Sequence, residues 1–274
     1  MSTTISSRVR KRLVFFVRKG KFSDFIVMAL SIGVFLALWY IASDLLHTVY
    51  FPNPSTVFDA LMNSFTYSNP QVGVLLMGQN IAASMTRFLE GFALAFIVAL
   101  PVGLLMGYLR YAYDVGSPIV EIFRPIPPIA WVPFFIILLG PLVGPIWVIF
   151  LGAFFPILSN VIFGVRSVDN TLLDAAKTLG AKRITIFSKV VLPYTIPFIM
   201  AGVTIGVGIA WMCIVAAEML GAEGGGVGSY IRVNSDLNNF PAMFAGMVVI
   251  AALGLITLGV ARLLEKQVSP WRGK

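Results

Sequence analysis

The sequence predicts an all-α protein built into a membrane with six spanning helices, and three observations carry that expectation. Of its 274 residues, 58% are hydrophobic and 12% charged, against about 25% charged in ordinary soluble domains. The apolar residues gather in runs long enough to cross a bilayer, which takes about 20 helical residues. The 20 Lys and Arg residues fall almost entirely on one side of the topology that these runs imply.

The tail 1–23 carries Arg8, Arg10, Lys11, Arg12, Arg18, Lys19 and Lys21, and such clusters beside a span stay in the cytoplasm. Span one is expected at 24–43. The segment 44–80 holds Asp44, His47 and Asp59 but no Lys or Arg, so it is expected outside, with His47 as an interfacial residue. Within it, Phe51-Pro52-Asn53-Pro54-Ser55 reads as a turn leading into a short helix from Thr56 to Phe65.

The core, 81–265, is expected to hold five more spans. Span two covers Met85 to Tyr108. Span three follows Pro118 and runs to Leu139, and prolines 125, 127, 128 and 133 must bend or break it. Non-helical backbone at membrane depth survives only where protein or a watery cavity covers it, so span three is expected to wall a pathway. Gly140-Pro141 turns the chain into span four, Gly144 to Gly164. Span five is Pro197 to Leu220, and span six ends near Arg262 before a short tail, 266–274. Gly103 with Gly107, and Gly202 with Gly206, have the spacing that lets helices pack closely.

Between spans four and five lies a polar island, 166–193. Thr171 with Asp174 has the form of a capping box, which predicts a helix from Leu172 with Leu172, Ala175, Ala176 and Leu179 on one face. Gly180 ends that helix. A second stripe, Ile184, Phe187 and Val191, predicts another short helix that stops at Pro193. With the island inside, 17 of the 20 basic residues are cytoplasmic and only Arg232 is clearly outside. The net charge of +8 is thus a matter of topology, and no nucleic-acid partner is expected.

Asp174-Ala175-Ala176, then Gly180, then Val190-Val191-Leu192-Pro193, resembles the EAA loop of the membrane subunits of ATP-binding cassette importers. Asp174 stands for that family's Glu and Val190 for its Ile; the spacing agrees throughout. Arg124-Pro125-Ile126-Pro127-Pro128 with Ala130-Trp131, Ala216-Ala217-Glu218 before a glycine-rich loop, and the Pro270-Trp271 ending resemble the permeases for nitrate, taurine, other sulfonates and bicarbonate. The resemblance implies a type I importer permease architecture in a bacterial inner membrane. It also implies a homodimer, two cytosolic ATPase subunits and an extracytoplasmic binding protein that delivers the solute. ATP and Mg belong to the ATPases; this chain binds no cofactor and is no enzyme. Asp174, Ala175, Ala176, Lys177, Gly180, Leu192 and Pro193 then become the ATPase-coupling residues.

Candidates for the pathway are Arg124, Arg87, Thr204, Trp211 and Met212. A cation at mid-bilayer costs about 2.5–3.5 kcal/mol, although Glu90 three residues after Arg87, and Glu121 three before Arg124, are placed to neutralise each on its own helix face. Glu218 either contacts the binding protein or sits solvated at the interface. Gly224-Gly225-Gly226 lacks the Lys-Ser/Thr of a phosphate loop, and one His with one Cys gives no metal spacing. The rival reading is a secondary carrier driven by an ion gradient, which would need no docking loop.

Overall fold

The computed structural model describes residues 21–69 and 73–268, and it is helical nearly throughout. The basic cluster before Lys21 and the Pro270-Trp271 ending lie outside the described residues. The chain divides into two compact units, 1–59 and 60–274.

In the first unit, α1 (Lys21–Leu46) contains an apolar run, Ile26–Leu46, long enough to cross a membrane. Its end is tied to the following turn: Trp39 Nε1 donates to Pro52 O at 3.1 Å and Ser43 Oγ to Phe51 O at 2.9 Å. The short helix α2 (Pro54–Ser64) begins two residues earlier than predicted, where the Asn53 side chain accepts from the Ser55 amide at 3.2 Å.

The second unit is organised around α3 (Met77–Tyr108), the long helix α5 (Val132–Arg166) and α8 (Leu192–Leu220), which share one apolar core. Small residues make that contact close. Gly91, Ala95, Ala99 and Gly103 recur every four residues along one face of α3, and all four are buried. A Cβ at Gly103 would stand 2.8 Å from Val161 of α5. A Cβ at Gly202 of α8 would stand 3.0 Å from the Ile157 backbone. These glycines therefore serve contacts within the chain, a point that spacing alone leaves open. Helix α9 (Val227–Asp236) and α10 (Phe240–Val268) complete the unit, with Trp211 Nε1 donating to Thr257 Oγ1 at 2.8 Å between α8 and α10.

The predicted third span is not one helix. α4 (Arg110–Phe123) has 14 residues and contains Pro118 in its interior rather than at its start. At about 1.5 Å per residue it reaches only about 21 Å. Residues 124–127 leave the helical path, Pro128–Trp131 form a 3₁₀ turn, and helix resumes at Val132. Gly140, at φ 84° and ψ 166°, then reverses the chain within α5. The reversal is visible in its contacts: Phe135 stacks on Trp147 at 6.3 Å, and a Cβ on Gly144 would meet the Ile136 amide at 2.9 Å. Residues 110–139 thus run antiparallel beside 141–166. Five helices among the described residues are long and apolar enough to cross a membrane; the predicted sixth crossing is this broken path.

Pro193 does not stop the second island helix. α7 (Arg183–Ile186) widens into a π-helical turn, Phe187–Val191, and continues directly into α8. The Leu192 amide bonds to Phe187 O, five residues back. A widened turn moves carbonyls away from the proline ring and accommodates its missing N–H, so the usual clash is avoided.

Candidate functional site

Helix α6 (Asn170–Thr178) is a rigid, fully capped unit. Its N-cap is Asp169, whose carboxylate accepts from the Thr171 amide at 2.8 Å, not the predicted Thr171. That amide holds the Asp169 carboxyl below its ordinary range. At the other end Gly180 N donates to Lys177 O at 2.9 Å and Ala181 N to Ala176 O at 3.1 Å, the paired bonds of a Schellman ending. Gly180 sits at φ +75°, with nothing near the place a Cβ would take. Only a residue tolerant of the left-handed region closes this turn without strain.

The predicted apolar face of α6 turns outward. Leu173 and Ala176 lean on a small core with Val165, Val168, Ile186 and Val191, whereas Leu172 and Ala175 are exposed. Leu179 is 87% and Ile184 82% exposed. Asp174 and Lys177 form a surface ion pair at 2.8 Å beside this patch. Leu192 and Pro193 are half-buried at the start of α8.

At the opposite end of α3 and α8, Glu218 is buried at 1% exposure. Its carboxylate pairs with Arg87 at 2.8 Å and accepts from Ser84 Oγ at 2.8 Å and the Gly228 amide at 2.9 Å. Arg87 also donates to Gly225 O at 2.7 Å and to Glu223 O. Ser84 Oγ accepts from Val227 N, and Asn80 Oδ1 from Gly226 N, each at 2.9 Å. The glycine-rich loop is therefore strapped down by one face of α3, and a Cβ at Gly226 would overlap the Glu218 carboxylate. Two expectations are corrected here. Arg87 pairs with Glu218 rather than Glu90, which is exposed, and Glu218 has no surface to offer a partner or water. Asn80 and Ser84 were missed, although positions 80, 84 and 87 form a polar stripe at helical spacing in an apolar span.

Arg124 ends α4 and borders two cavities, each of about 280 Å³. One is shared with Glu121, Ser159 and Arg166, the other with Ser159, Asn160, Phe155 and residues of α8. Among the described residues no ion pair joins Arg124 to Glu121, so the predicted neutralisation does not form. Of the remaining pathway candidates, Trp211 is packed, stacking on Phe88 at 5.0 Å and 5% exposed. Met212 is 64% exposed. Thr204 Oγ1 is buried with no hydrogen-bond partner among the described residues.

Membrane-length helices with a capped polar hairpin between two of them make an integral membrane protein with a built contact surface. Residues 99–270 match the family described as binding-protein-dependent transport system inner membrane component, and the chain belongs to that family. It is 40% identical over 230 residues, 82% of this chain and 85% of the other, to a putative ABC transporter permease of Methanocaldococcus jannaschii. It is 33% identical to the taurine transport system permease protein TauC of Escherichia coli over 258 residues, 90% of this chain and 91% of that one. With the nitrate import permease protein NrtB of Synechocystis it shares 31% identity over 252 residues, 88% of each chain. Among solved structures, the inward-facing MetNI methionine ABC transporter superposes with a TM-score of 0.62 at 22% identity, covering 74% of this chain and 99% of that one; this likeness concerns the fold. The chain is a multi-pass inner-membrane permease subunit of an ABC importer, a class that works with ATPase and substrate-binding partners.

Proposed function

We propose that this chain, as a homodimer, forms the translocation pathway of an importer for a small anionic solute: a sulfonate such as taurine, nitrate or bicarbonate. The reading is carried by the exposed apolar patch on α6 and its neighbour, Leu172, Ala175, Leu179 and Ile184. Leu179 and Ile184, 87% and 82% exposed, with Leu172 at 48% beside them, form an apolar patch of the kind that serves a partner surface. The partner is a cytosolic ATPase whose groove takes the patch, with Asp174 and Lys177 at its rim. ATP and Mg act there. When the ATPases close, the hairpin 170–186 carries the movement through the π turn into α8, which shifts the permease between two access states. This places both termini and the hairpin in the cytoplasm and the glycine loop outside, near the binding protein. The second copy roofs the Arg124 cavities along the exposed stripe Ile205, Gly208 and Met212 of α8.

Taurine- and nitrate-named relatives support an anion, as does the uncompensated guanidinium of Arg124. Copurification tests the docking reading. Leu179→Asp should strip the ATPase from the solubilised permease while leaving the permease folded; full retention of the ATPase would overturn the assignment of this patch.

A further inference from the structure

Arg87, Arg124 and Arg166 of the second unit lie in or beside apolar spans, and their side chains differ in what they meet. Arg87 is paired with Glu218 and bonded to two loop carbonyls. The Arg166 guanidinium lies 3.8 Å over the Tyr113 ring. Arg124 has no ion pair or side-chain hydrogen bond among the described residues, yet it lines both cavities. A charged residue at membrane depth that faces a cavity marks a solute path, and Arg124 faces two. Ser159 borders the same two cavities, and its hydroxyl likewise makes no hydrogen bond among the described residues. Asn160, beside it, gives one amide N–H to Pro156 O at 2.8 Å. That bond fixes the amide and leaves its second N–H to donate.

We propose that Arg124, Ser159 and Asn160 form a head-group subsite for an organic sulfonate-type anion, and that Phe155, Ile205 and Ile209 take its carbon chain. The proposal rests on the importer reading and narrows its substrate class. A guanidinium fork donates to two oxygens at once, and a hydroxyl and an amide supply further donors for a three-oxygen head. The rest of this cavity is apolar, with Pro128, Phe155, Ile205 and Ile209 in its wall. A bare planar anion leaves that wall facing a charge that gains nothing from it. A short alkyl chain removes it from water. At about 280 Å³ the cavity has room for both parts, a water occupying about 30 Å³.

The test uses the intact permease–ATPase complex in detergent, without binding protein, so that the permease's own selectivity is read. Ethanesulfonate is the probe, its methyl and methylene protons followed by saturation-transfer NMR, with nitrate as competitor. Wild type should saturate the methyl protons, and nitrate should compete only weakly. Arg124→Gln should weaken binding at least about tenfold and Ser159→Ala about fivefold, as expected for losing a charge-assisted and a neutral hydrogen bond. Phe155→Ser should remove the gain from methanesulfonate to butanesulfonate while keeping the head-group affinity. ATPase copurifying at the wild-type ratio shows that each variant assembles; should Arg124→Gln not assemble, Arg124→Lys keeps the charge, loses the fork and is expected to weaken binding severalfold. Wild-type affinity in both Arg124→Lys and Ser159→Ala, or nitrate competing as well as butanesulfonate, overturns the subsite. ATP-driven uptake in proteoliposomes with the binding protein separates the two levels. Uptake that survives Arg124→Gln unchanged removes the subsite and leaves the importer, whereas ethanesulfonate binding without uptake of any oxyanion by wild type removes the anion-importer reading and leaves the site.

Discussion

Arg87 and Glu218 lie 131 residues apart in sequence and 2.8 Å apart in space. Both are buried, and every polar atom of the carboxylate is used, so the pair stands only as a complete network. Removing one partner from a buried pair costs about 3–5 kcal/mol, because the other charge is left uncompensated. Glu218→Leu should therefore lower the thermal unfolding midpoint of the solubilised permease sharply, while Arg87→Met with Glu218→Leu should recover much of the loss. Equal losses in the single and double variants would show that the network contributes through something other than charge pairing. The partnership leaves no local trace in sequence, where Glu90, three residues from Arg87, is the nearer acid. Glu218 was misjudged for the same reason: a carboxylate beside a glycine run looks solvated until Ser84 and Arg87 of a distant helix and the Gly228 amide are placed around it. The break at Arg124 was legible because Pro125, Pro127 and Pro128 follow it.

At the level of the element, the hairpin 170–186 was legible in its spacing. Of the four residues expected on one face, Leu172, Ala175 and Leu179 are exposed, whereas Ala176 leans with Leu173 on Val165, Val168, Ile186 and Val191. Gly180 isolates one physical effect. A Cβ there meets nothing within 4 Å, so Gly180→Ala should cost only the left-handed backbone penalty, about 1–2 kcal/mol, and Asn less. The check is ATPase retention and coupled hydrolysis in the three forms; a loss in Asn as large as in Ala would mean that the position contacts the partner. Asp169 adds a pH dependence. Its folded carboxyl titrates below the ordinary aspartate range, so the cap is fully present above that range and is lost as pH falls through the lowered value. The hydrogen-exchange protection of the Thr171 amide, relative to its intrinsic rate at each pH, should fall in that acidic window, and Asp169→Asn should abolish the dependence. Pro193 was misread because the proline rule assumes α-helical register, and a π turn changes the register in the residues just before it.

Across the whole molecule, five of the six predicted spans are long apolar helices among the described residues, and they were readable because the bilayer dictates their length. The broken path 110–139 was foreseen as a break, but its details depend on antiparallel packing against α5, which composition does not encode. The helices join an exposed hairpin to the Arg124 cavities through one continuous element, α7 into α8, and the account depends on that hairpin gripping a cytosolic ATPase. The most direct measurement places a photo-crosslinking residue at Leu179, with another at Ile137, 86% exposed and remote from the hairpin, as control. Irradiation of whole cells should yield a covalent adduct with a nucleotide-binding subunit from Leu179 and none from Ile137. Adducts from Leu179 only with lipid, or with a protein of the outer compartment, would contradict it.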